Sequence, residues 1–136
     1  MLRDYTTYLL KAQLRDLSDR KVQKLVRAID KNLMRAFDVQ DRFEIAHIIP
    51  GMRKRRFGVN FGLTARSLDH SKALSWSEVV ARVQSDMHFK TEAQTVEMIE
   101  AYLKAHLSVM SATARLRFAQ ACPDELLRVY LRVLNS

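Results

Sequence analysis

An all-helical fold is what the sequence predicts, on three grounds. Only three glycines and two prolines punctuate 136 residues rich in Leu, Ala, Arg and Lys, which favours helices over strands. Apolar residues recur at spacings of three and four, the period of an amphipathic helix. Ser, Thr and Asp stand just before several of these stripes, where their side chains can satisfy the free backbone donors of a first turn. A chain of this length fits one domain, 1–136, and buries enough surface to fold without a metal or disulfide.

Taken in order, Ser18 precedes a long helix whose stripe is Val22, Leu25, Val26, Ile29, Leu33 and Phe37. Asp38 caps a second helix running to about Ile49, where Pro50 and Gly51 end it. The segment 58–74 joins two halves, and Phe57, Val59, Phe61 and Leu63 are expected to pack back onto the core. Ser75 with Glu78, and Thr91 with Gln94, fit the capping box, in which two side chains satisfy each other's backbone donors. Trp76, just after its cap, is placed to clamp the second half onto the linker. From Thr91 the stripe is Val96, Ile99, Leu103 and Leu107; Ser111 opens another helix, and Pro123 suits the first position of the last one. Met34, Met87, Met98 and Met110 fall at helical spacing and read as core filler.

The halves 1–57 and 75–136 echo each other as units of three to four helices in one bundle. Shifted by 73, Arg42, Ala46, Pro50, Arg55 and Phe57 fall on Arg115, Ala119, Pro123, Arg128 and Tyr130. Shifted by 74, Val22, Leu25, Ile29 and Leu33 fall on Val96, Ile99, Leu103 and Leu107, so one residue would be lost between the long helix and the next. The stretch "RVQSDMHFKTEAQTVEMIEAYLKAHLSVMSATARLRFAQACPDELLRVYL" resembles the bacterial domain of unknown function 2267, whose units end in an Ala-Gln-x-Pro-x-x-Leu-Arg-like segment, often in tandem. Ala119, Gln120, Pro123, Leu126 or Leu127, and Arg128 match it; Ala46, Pro50, Met52 and Arg53 echo it, while Cys122 and Ile49 replace the usual leucine before the proline. That resemblance implies an all-helical fold and no known activity.

Charge is distributed unevenly. Of the formal excess of +8, +7 lies in residues 1–60, which hold 14 Lys and Arg against 7 Asp and Glu, and +1 in residues 61–73, whereas residues 74–136 hold 7 of each. On the long helix, Arg20, Lys24, Arg27, Lys31 and Arg35 share one face opposite Ile29, with no acid among them. Four successive like-charged pairs oppose that helix by about 1 to 2 kcal/mol in total at low salt, a repulsion that a bound anion would remove. Arg53, Lys54, Arg55 and Arg56 follow the Pro-Gly break, yet Asp124 and Glu125 stand after the corresponding proline of the second half. The basic run is therefore not a requirement of the scaffold. Two accounts stand: solvated charges, or a face for a polyanion, foremost nucleic acid held through phosphates without base readout. An acidic protein surface is the competing partner, including Glu97 and Glu100 of another copy in a homo-oligomer.

Enzyme chemistry is not expected. Asp69, His70 and Ser71 are adjacent in sequence, whereas a triad is assembled in space. The four histidines stand 18 or more residues apart and lack metal-ligand spacing, so no cofactor is expected; His106, four residues after Tyr102, reads as a partly buried structural histidine. Gly58 and Gly62 lack the Gly-Lys-Ser/Thr end of a phosphate loop. The lone Cys122 cannot close an intrachain disulfide and reads as a small buried hydrophobe, with a reducing cytoplasm the expected compartment. No apolar run nears the roughly 18 residues of a transmembrane helix.

Overall fold

In the computed structural model, residues 4–57 and 71–136 are described, and among them every regular element is a helix. The order is α1 (Tyr5–Gln13), α2 (Asp19–Met34), α3 (Val39–Ile48), α4 (Met52–Phe57), α5 (Trp76–Met87), α6 (Glu92–Leu107), α7 (Ala112–Ala121) and α8 (Asp124–Leu134). None is long and apolar enough to cross a membrane among the described residues. The Phe57 side chain, Val59, Phe61, Leu63, Gly58, Gly62, Asp69 and His70 fall outside the described residues.

The starts follow the side-chain chemistry closely. Ser18, Ser75, Thr91 and Ser111 each accept a hydrogen bond from the backbone three residues on. Only Ser75 closes the reciprocal box, with Glu78 accepting from the Ser75 backbone, and Glu78 is held below the usual carboxylate range by those bonds. Replacing Ser75 with alanine is expected to cost about 1 kcal/mol in a denaturant melt. At Thr91 the bond runs one way, from Gln94 N to Oγ1. Asp38 occupies the cap position of α3 without a side-chain bond, and Pro123 caps α8 from outside, one residue earlier than its expected place.

Two long helices, α2 and α6, form the centre. α5 packs across α2 and α1 packs across α6, so the first helix of each half covers the long helix of the other. The core that results spans both halves: Leu10, Val22, Leu25 and Ile29 are buried with Val83, Ile99 and Tyr102. Phe37, Phe118 and Tyr130 join the ends of α2, α7 and α8 through ring centroids 5.5 and 5.4 Å apart. The methionines Met34, Met52, Met87 and Met110 are buried among them, with Met98 partly so. Trp76 is half-buried against this core, beside Ala36, Leu74, Pro123 and Leu126.

Helix bounds recur at one offset. α2 and α6 have 16 residues each, α3 and α7 have 10 each, and both pairs are separated by 73 positions. Each buried residue of α6 (Thr95, Ile99, Tyr102, Leu103, Ala105, His106 and Leu107) lies 73 positions after a buried residue of α2. The offset of 74 read from the apolar stripes alone arises because Thr95, Tyr102 and His106 are polar residues in core positions.

Arg42 is another such residue. It is wholly buried, with Nε donating to the Phe37 carbonyl oxygen at 3.0 Å and Nη2 to that of Arg35 at 3.4 Å. Leu74 N donates to the same Arg35 oxygen at 2.8 Å. A cation and an amide thus take up carbonyls that the end of α2 leaves without helical partners.

Candidate polyanion-binding cavity

The basic run after Pro50 and Gly51 is neither a loop nor uniformly solvated: it forms the short helix α4. Arg53 and Lys54 are exposed, whereas Arg55 turns inward with a side chain 11% exposed. Gly51 makes this possible. Its φ is +79°, and a Cβ there would collide with Nη1 of Arg55.

Arg55 meets Asp30, whose carboxylate is fully buried on α2. Nε donates to Oδ2 at 2.7 Å and Nη2 to Oδ1 at 2.9 Å, the two-pronged geometry that matches a guanidinium to a carboxylate. The Tyr102 hydroxyl donates to Oδ1 of Asp30 as well. Nη1 reaches Thr6 Oγ1 at 3.2 Å, and Asp4 Oδ1 and the Pro50 carbonyl oxygen at 3.4 Å each. Asp4 in turn caps α1 by accepting from Thr7 N.

His106 completes the cluster. Its Nδ1 lies 2.7 Å from the Tyr102 carbonyl oxygen, an acceptor only, so Nδ1 carries the hydrogen. Nε2 is then free to accept from Arg55 Nη2 at 2.9 Å. Burial and the Arg55 charge push the imidazole down to about 4, which keeps it neutral at physiological pH. Burial raises Asp30 while the Arg55 fork pulls it down; burial opposes the Arg55 charge, but Asp30 and Asp4 more than offset this and hold it above its ordinary value. Six residues from α1, α2, α4, α6 and the turn before α1 are thereby locked together, and Tyr102 stacks on His106 at 3.9 Å.

The outer side of this cluster is a cavity of about 440 Å³, lined by Lys24, Arg27, Ala28, Asp30 and Lys31 of α2, Arg55 and Arg56 of α4, and Asp86 of α5. Five of the nine expected basic residues therefore gather around it. Arg20, Arg53 and Lys54 are exposed elsewhere on the same two helices. Arg35 is half-buried, donating to the Lys72 carbonyl oxygen at 3.4 Å, and does not line the cavity. Two corrections follow for the lining groups. Arg55 is already matched by Asp30 and Asp4, so it is a fixed wall and not a spare cation. Lys31 lies 3.4 Å from Asp86, which also accepts from Asn32 Nδ2 at 3.1 Å. Both members of that pair are more than a third exposed, and such pairs contribute about 0 to 1 kcal/mol. Among the described residues, Lys24 and Arg27 have no carboxylate within ion-pair distance.

Elsewhere the polar residues are engaged structurally. Glu100 accepts from Arg132 at 2.6 Å, and Arg117 forks to Glu44 and Asp41, tying α7 to α3. Burial pushes the Cys122 thiol up to about 12, which leaves it a poor nucleophile. No three His, Cys, Asp or Glu side chains gather as a metal site among the described residues. No family model, curated protein or solved structure matches the chain.

Proposed function

We propose that this chain is a non-enzymatic binding module that takes a polyanion, with nucleic acid the preferred ligand, on the cavity face between α2 and α4. The observation that supports this is the meeting of Lys24, Arg27 and Lys31 with Arg55 and Arg56 around one concave surface. Among the described residues, five cations against two carboxylates line that surface. In the second half the positions 73 residues on from Lys24, Arg27 and Lys31 are Glu97, Glu100 and Lys104, so the helix itself does not demand the cations. Phosphate contacts from such groups favour any strand alike, and nothing here supplies base readout. Membership of the family that the second half resembles is part of the same proposal and adds no activity to it.

Titration of labelled DNA and RNA at two salt concentrations tests it. Binding is expected whose log affinity falls with log salt, at a slope of about 0.9 for each duplex phosphate contacted. The variant Lys24→Glu, Arg27→Glu is expected to fold, since Glu occupies both matching positions, and to lose at least about tenfold in affinity with a slope smaller by about 2. An unchanged slope would remove the cavity from the reading. Concentration-dependent mass without nucleic-acid binding would favour the acidic-protein or self-association partner instead.

A further inference from the structure

The cavity has a shape as well as a charge, and the shape has a local cause. Lys24, Ala28 and Lys31 follow one another on a single face of α2, at spacings of four and three. The alanine methyl between two long side chains leaves a recess, which Arg55, Arg56 and Asp86 also line. Its volume of about 440 Å³ falls in the range of pockets that enclose small ligands. An internal phosphodiester is joined to the chain on both sides, so its strand must enter and leave; a recess of this kind suits a group attached at one end.

We propose that the recess between Lys24, Ala28 and Lys31 takes a phosphomonoester dianion, the terminal phosphate of a strand or of a mononucleotide, in preference to an internal phosphodiester. This rests on the polyanion reading above and names the group that its site selects. A phosphomonoester carries about −1.5 to −2 charge near pH 7, against about −1 for a diester, and matches the two cations, Lys24 and Arg27, that no carboxylate of the described residues offsets. Arg55, held by Asp30, is a fixed cationic wall whose donors are already engaged, and the exposed Lys31–Asp86 pair is weak enough to open.

The test compares one short single-stranded oligonucleotide, labelled at its 3′ end, with either a 5′-phosphate or a 5′-hydroxyl, by fluorescence anisotropy on the full chain. The phosphorylated strand is expected to bind about tenfold tighter, which corresponds to about 1.4 kcal/mol. Ala28→Leu, which fills the recess without touching a charge, should erase that preference. Asp86→Asn keeps an acceptor for Asn32 and releases Lys31, and should tighten binding of the phosphorylated strand several-fold, a gain that misfolding does not produce. Adenosine 5′-monophosphate against adenosine separates the sources: competition by the nucleotide alone assigns the free ligand, and its failure beside a preserved strand preference assigns the strand end. Equal affinity for both strands overturns this inference and leaves the broader reading intact; no binding by any probe overturns both.

Discussion

Asp30→Ala is expected to destabilise the chain by about 3 to 5 kcal/mol, because it leaves the Arg55 guanidinium inside the protein without its principal counter-charge. For a domain of this size that corresponds to a fall in Tm on the order of 15 °C. The loss comes mainly from stranding a charge and not from the worth of the pair itself. Replacing both partners, Asp30→Leu with Arg55→Met, should therefore recover part of it, since neither charge is then left alone. Leucine is already the residue at position 103, 73 residues on from Asp30, so an apolar side chain suits that place on a long helix. Urea melts of the two single variants and the double variant check this. Single variants that each cost under about 1 kcal/mol would mean that water reaches Asp30 and that the pair behaves as a surface one.

Asp30 also marks where sequence reasoning stops. Helix starts were legible because a cap acts within four residues: Ser18, Ser75 and Ser111 need only their own first turn. The long stripes were legible because burial on one face repeats locally. The polar cluster was not, since Asp30 meets Arg55 and Tyr102, and Arg55 meets His106, across 25 and more residues, and no local period records such a meeting. One signal was present: Asp30 directly follows Ile29, on the buried side of α2. A solvated acid at that place would carry no message. Read as an acid on a core face, it asks for a buried cation, and a chain with four basic residues after a Pro-Gly turn offers one. The same omission shifted the apparent register of the halves, because Thr95, Tyr102 and His106 were not counted as core. The basic surface was half legible. Helical spacing grouped Lys24, Arg27 and Lys31, which line one cavity, but it could not show that one of the four residues 53–56 is consumed internally and that Asp86 reaches Lys31 from α5.

Stability should also fall as pH drops from about 6.5 to about 4, and His106 is the reason. The unfolded imidazole takes its proton near 6.5 and the folded one only near 4, so between these values the unfolded chain binds more protons and is favoured as pH falls. The full difference approaches about 3 kcal/mol, is absent above the window and stops growing below it, where both states are protonated. The cause is geometric. Nδ1 already donates to Tyr102, so a second proton must sit on Nε2, facing Arg55 Nη2 at 2.9 Å, where burial and the Arg55 charge outweigh the Tyr102 carbonyl oxygen and Asp4 that favour the added charge. His106→Leu removes the titration, and leucine is the residue at the matching position 33 of α2. At pH 7 the variant is expected to be the less stable, through the lost acceptor for Arg55 and the lost stack on Tyr102. At pH 4 the gap should have narrowed by about 3 kcal/mol, with Asp4 and Asp30 titrating in both proteins and largely cancelling from the comparison. Parallel pH profiles for the two chains would show that His106 takes its proton as readily in the folded chain as in the unfolded one, and would separate the buried cluster from any acid sensitivity of the fold.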